Sequence, residues 1–186
     1  MVTASDTTKI VTQPKTQECN QPSLKRWFKH FLYMPATKRY FNQQDRYAIA
    51  QAVEQAEHGH VGEIQVVIEG HIPAHQAYRQ NTHARAQQLF AELGVWDTEY
   101  NSGVLLYLNL CERKVEIVTD RGIHKAAEQQ VWNEICAQLI VKMQRSEYRL
   151  AVCNAVESIG QILDCFYDGV IQDEVNEISN APIILG

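Results

Sequence analysis

Polar side chains flank two short apolar runs in the middle of this chain. Asp97, Glu99, Asn101 and Ser102 precede the run 104–110, and Asp120 and Arg121 follow the run 115–119. Between the runs stands a charged break, Cys111-Glu112-Arg113-Lys114. Carboxylates and an asparagine amide are hard oxygen ligands, suited to Ca²⁺ or Mg²⁺. Arg121 suits phosphate oxygens. A metal beside an anion site suits hydrolysis of a phosphate ester. That chemistry would place the metal on Asp97, Asn101, Asp120 and Glu63, and the reacting phosphate beside Asp120, Arg121 and His124. His124 is the candidate for moving a proton. Each residue also has a plain structural reading: Asp97, Asn101 and Ser102 as turn residues, Asp120 as a helix cap paired with Arg121, Glu63 as a solvated strand end.

The elements that must position these groups follow from periodicity. Runs this short, rich in Val, Ile, Leu and Tyr and bounded by turn chemistry, read as the strands of a hairpin. The first run is nearly all apolar, as in a strand covered on both faces. The second alternates, with Val115, Ile117 and Thr119 on one face and Glu116, Val118 and Asp120 on the other. Upstream, residues 63–69 form a further strand bounded by Gly62 and Gly70. Helices are expected from the Asn42 cap to Gly59, over residues 74–93, over 123–143 and over 147–166. A strand–helix–strand unit closes as a right-handed parallel crossover. Strand 63–69 should therefore lie parallel to 104–110, with 115–119 antiparallel beside it. The fold class is α/β: a three-layer α/β/α sandwich around a small mixed sheet. In that topology the starts of the first two strands and the end of the third share an edge. Glu63, Asp97, Glu99, Asn101, Asp120 and Arg121 meet there, next to a helix expected to begin near Ile123, whose N-terminus would attract anions.

Residues 23–33 stand apart. Leu24, Trp27, Phe28, Phe31 and Leu32 mark one helical face, and Lys25, Arg26, Lys29 and His30 mark the other. A basic amphipathic helix can lie on a membrane surface or meet a membrane-associated protein through Trp27, Phe28 and Phe31. The commoner arrangement packs the aromatic face on its own domain. Four regions result: a disordered arm over 1–22, this helix and its linker over 23–40, the α/β/α domain over 41–167, and an acidic tail over 168–186. The tail ends in the apolar run Ile183-Ile184-Leu185 and is expected to be loosely held.

Composition excludes several classes. The chain has 186 residues and a net charge of -5, so the electrostatic case for nucleic acid is absent. Five cysteines, an odd number with no CxxC pair, argue against a disulfide framework or a thiolate zinc site. His58 and His60 are separated from His71 and His75 by a strand of about 23 Å, so these four cannot share one metal. No GxSxG, HExxH or phosphate-cradling glycine loop is present. Without a signal-peptide core or a run of ~20 apolar residues, the expected location is cytoplasmic or peripheral to the inner face of a membrane.

The segments GEIQVVIEG and VWDTEYNSGVLLYLNLCERKVEIVTDRGI resemble the TPM domain family, the thylakoid-lumen acid phosphatase-like domain. That family's pattern is a GEI strand, a helix, an N-G-V-L-x-Y strand, a D/E-R-K-V-x-I turn and strand, and D-R-G-I or G-Y-G-L. The similarity covers roughly residues 41–167. Arg26-Trp27-Phe28-Lys29-His30 resembles the R-W-x-x-H start of a compact bacterial branch that lacks a signal peptide and a membrane helix. The resemblance implies an α/β/α sandwich and Ca²⁺ or other divalent binding near the acidic segment before the G-V-L strand. It also implies weak acid phosphatase activity in some members and membrane-complex or receptor-accessory roles in others. Bacterial relatives are often encoded beside a membrane-associated helical protein. Asp97, Asn101 and Asp120 match the polar positions flanking the family's hairpin, and Ser102 stands where many members carry a second amide. Two functions follow: an accessory or binding module for a membrane-associated partner, and a metal-dependent acid phosphatase.

Overall fold

The computed structural model describes residues 22–33, 40–123, 126–167 and 176–186. The expected N-terminal arm and His124 lie outside the described residues. Among the described residues ten elements follow one another: α1 (Leu24–Leu32), α2 (Gln43–Glu57), β1 (Glu63–Glu69), α3 (Ala74–Arg79), α4 (Thr82–Glu92), β2 (Gly103–Asn109), β3 (Lys114–Thr119), α5 (Gln129–Gln144), α6 (Tyr148–Tyr167) and β4 (Ile183–Leu185).

The sheet order is β3-β2-β1-β4. β1 and β2 are parallel and in step, Glu63 opposite Gly103 and Glu69 opposite Asn109. β3 folds back antiparallel on β2, with Val104 opposite Thr119. Both parallel strands are buried along their whole length, as the near-continuous apolar run of β2 requires. One face presents Ile64, Val66, Ile68, Val104, Leu106, Leu108, Val115 and Ile117 to a core shared with α2, α5 and α6. The other presents Val67, Leu105 and Tyr107 to a smaller core with Ala86 and Leu89 of α4. Gly160 lets α6 press on α2: a Cβ there would lie 2.7 Å from the Ala56 Cβ. These layers are the expected three-layer sandwich.

Four expectations change. The helix expected over 74–93 is two helices, because Asn81 breaks the chain and recaps it, its side-chain oxygen accepting the Ala84 N–H at 2.8 Å. The helix expected from Ile123 begins at Gln129. Gly122 is pressed against the Asn101 carbonyl, where a Cβ would sit 2.4 Å away, and Ile123 plugs the core, so the chain turns here instead of coiling. The tail run expected to be loose is β4, which pairs in parallel with the end of β1. Its alternation explains this: Ile183 and Leu185 join the smaller core, and Ile184 the larger.

The fourth change concerns α1, whose aromatic face does not pack on the domain. Its polar side docks instead. The Arg26 guanidinium donates to the carbonyls of Ala77 at 2.6 Å and Tyr78 at 3.4 Å. His30, fully buried, accepts the Ile72 N–H through Nδ1 at 3.1 Å.

Candidate site at the hairpin edge

The register places the starts of β1 and β2 and the end of β3 on one edge. Around it the structure brings several of the sequence candidates together. Ser102 O accepts the Glu63 N–H at 3.2 Å, Asn101 O accepts the Gly122 N–H at 3.1 Å, and Gly103 O accepts the Asp120 N–H at 2.9 Å. Asn101 holds φ 53, a left-handed conformation that asparagine tolerates better than most residues. Ser102 and Thr98 are buried and committed to the scaffold: Ser102 Oγ donates to Val61 O, and Thr98 Oγ1 accepts the Ser102 N–H at 2.8 Å.

The carboxylates at this edge differ in what they hold. Glu63 is buried and accepts the N–H groups of Glu177 at 3.1 Å and Ile178 at 3.2 Å, so it anchors the segment that leads into β4. The Glu99 N–H donates in turn to the Glu177 carboxylate at 3.1 Å. Asp97, Asn101 and Arg121 are exposed. Asp120 is buried; its Oδ1 accepts the Arg121 N–H at 2.6 Å, while its buried Oδ2 has no hydrogen-bond partner among the described residues. With α5 starting at Gln129, the helix N-terminus expected to hold an anion beside Arg121 is not at this turn.

Other buried polar atoms near this end of the sheet make no hydrogen bond among the described residues: Thr119 Oγ1, the Tyr167 hydroxyl and His60 Nε2. The Tyr167 and His60 rings are 6.2 Å apart. Burial, and then the Asp120 charge, raise the Tyr167 phenol above its ordinary value. Burial lowers the His60 imidazole, partly offset by Asp164, whose carboxylate is 3.7 Å away. Glu57, at the end of α2, accepts the Ile64 N–H at 2.6 Å, and burial with the nearby Glu63 charge pushes its carboxyl up to about 8. These residues sit at helix ends and a loop, on no shared sequence period. A hydrophobic pattern marks neither Glu57 nor Tyr167, so only the fold reveals them.

A metal fits this edge in part. Asp120 Oδ2 is an uncommitted hard oxygen. Glu63, by contrast, already spends both oxygens on backbone N–H groups. Among the described residues, the one group of three metal-binding side chains lies at the opposite edge: His30, Cys111 and Glu112. There the Ile72 N–H occupies His30 Nδ1, which leaves the ring proton on Nε2, 3.1 Å from Glu112 Oε1. A nitrogen carrying its proton is not a metal ligand. His30 and Lys29 beside it hold Glu112 well below the usual carboxylate range, at about 2, although burial opposes them.

Toward that same opposite edge, a buried polar line crosses the smaller core. Arg85 donates to Glu69 Oε1 through Nε at 3.1 Å and through an Nη at 2.7 Å. Tyr107 donates to Glu69 Oε2 at 2.5 Å, and Asn109 Nδ2 donates to the Tyr107 oxygen at 2.9 Å. On β3, Glu116 accepts from Thr82 Oγ1 at 2.9 Å, with His83 Nδ1 3.4 Å away. Each buried charge in this line is paired or hydrogen-bonded, as a covered sheet face demands.

Comparison with known proteins gives the context. The chain is similar in fold to the BA42 protein of the psychrophilic bacterium Bizionia argentinensis, solved by NMR. The TM-score is 0.67 at 21% identity, covering 77% of this chain and 94% of that one. It is also similar to the N-terminal domain of a protein from P. gingivalis, solved by NMR, with TM-score 0.56 at 19% identity, covering 67% of this chain and 76% of that one. No curated protein matches the chain. The family model described as the TPM domain matches residues 36–162, and with the parallel β1–β2 pair, the β2–β3 hairpin and the helical layers in place, the chain belongs to the TPM domain family.

Proposed function

We propose that this TPM-domain protein is a binding or accessory module for a membrane-associated partner, which it meets through α1. One observation carries the reading: α1 spends its polar side on the domain and turns its apolar side outward. Leu24, Phe28, Phe31 and Leu32 are 65, 54, 62 and 70% exposed. Trp27 stacks on Phe31 with ring centroids 5.1 Å apart and meets Phe28 edge-on at 4.7 Å, which fixes the ridge. An exposed apolar patch of this kind on a folded domain marks an interaction surface. Among the described residues no helix is long and apolar enough to cross a membrane, so attachment would run through such a surface. The test is co-sedimentation of the chain with protein-containing membranes of the source cell. The Phe28→Ser/Phe31→Ser double variant should stay folded and remain in the supernatant. A folded double variant that sediments like the native chain sinks the reading.

A second reading is supported by the partnerless buried Asp120 Oδ2. Ca²⁺ or Mg²⁺ would be held at the hairpin edge by Asp120, with Asp97 and Asn101 within the same loops. The family's phosphatase name suggests a phosphate monoester as substrate. A bound cation would supply charge neutralisation for a phosphate, while Arg121 would orient its oxygens. Binding that favours the folded state stabilises by about 2.7 kcal/mol at a hundredfold excess over Kd. Melting of chelator-stripped protein should therefore shift upward by several degrees with Ca²⁺ or Mg²⁺, and Asp120→Asn should abolish the shift. A native chain indifferent to both ions would leave the edge as turn and cap chemistry.

A further inference from the structure

The outward face of α1 carries more than apolar surface. Lys25 lies on the helix and Arg79 on α3 beside it, while Arg26 is turned to the domain, and neither 22–33 nor 71–80 contains an Asp or Glu. The chain as a whole has a net charge of -5, so this face is basic against an acidic background. Lys25 and Arg79 are exposed, and Lys29 pairs with Glu112 at 3.1 Å. A cleft of about 900 Å³ opens between α1 and α3, with Leu24, Trp27 and Phe28 on its apolar side and His75, Arg79 and Gln88 on its polar side.

An apolar ridge bordered by cations and free of carboxylates on its own segments complements one surface best, the headgroup region of an anionic bilayer. We infer that α1 lies in the plane of an anionic lipid surface. Phe28, Phe31, Leu24 and Leu32 enter the acyl boundary, while Lys25 and Arg79 meet lipid phosphates. The inference rests on α1 being the contact proposed above, and it names lipid as the partner. The domain stays on the water side, because Arg26 and His30 tether the helix by its polar side.

The test uses the full chain and protein-free vesicles of phosphatidylcholine, alone or with phosphatidylglycerol, in flotation assays. Binding is expected to the anionic vesicles and to be weaker on the neutral ones. Lys25→Gln should weaken it about fivefold, the effect of one cation near such a surface. Phe28→Ser/Phe31→Ser should weaken it at least about tenfold. Higher salt should weaken it as well. Circular dichroism and melting confirm that the variants fold, since neither touches the Arg26 and His30 tethers. A chain that ignores both vesicle types yet sediments with protein-containing membranes overturns the lipid assignment and leaves the accessory reading standing. A chain that binds neither overturns both. A lipid-free dimer that Phe28→Ser/Phe31→Ser converts to monomer also overturns the lipid assignment, giving the ridge to a second copy.

Discussion

Glu57 shows how one residue couples this fold to pH. Its carboxyl is raised from 4.5 to about 8 by burial first, against the Ile64 N–H, which favours the charged form. An acid raised by folding holds its proton in the native state while the unfolded chain has already lost its own. Its contribution is neutral below the unfolded value and turns unfavourable as pH climbs from 4.5 towards about 8. Glu57→Gln keeps an oxygen for the Ile64 N–H and removes the charge. Its melting temperature should match the native one near about pH 4 and exceed it increasingly toward about pH 8, by at least about 1 kcal/mol of stability. A constant difference across pH would mean that Glu57 does not titrate in this range.

At the scale of elements, α1 is a helix whose polar side is its inner side. Ser23 caps it, its Oγ accepting the Arg26 N–H at 3.3 Å, and Lys29 and His30 reach Glu112 in the hairpin turn. Glu112 is lowered from 4.5 to about 2, so the stabilisation it gives is complete above the unfolded value and fades as pH falls through about 2. Glu112→Gln should therefore cost about 1–2 kcal/mol at neutral pH, after discounting for partial solvent screening. The gap to the native melting temperature should close as pH falls from about 5 toward about 2. If the gap holds constant, the residue contributes packing and not charge.

For the whole molecule, the segment 176–186 decides whether the sheet is finished. β4 covers the edge of β1, Gly70 N–H donates to Leu185 O at 2.8 Å, and the Glu177 and Ile178 N–H groups satisfy Glu63. Removing it leaves a buried carboxylate without those donors and bares a sheet edge. Deletion of residues 176–186 should lower the melting temperature by several degrees and promote aggregation, both read in a melt with light scattering. Unchanged melting would show that β4 adds nothing to the core.

The sequence by itself determined β1, β2 and β3, their pairing and the layers, but not β4, which it left as a loose tail. The all-apolar β2 run, the alternation in β3 and the parallel crossover are local or near-local signals, and each maps directly onto burial. It also identified the shared edge, because register follows from strand order. Tertiary structure decided the rest. The amphipathicity of α1 is plain in its residues, but which side faces inward depends on Ala77, Tyr78 and Ile72, 42 to 52 positions away and unmarked by any period. The same holds for Asp120 Oδ2, left partnerless by burial alone, and for Glu57, whose proton affinity is raised by a burial that exists only after folding. A residue's type sets what it can donate or accept. Desolvation and distant partners set what it does, and those exist only once the chain has closed on itself.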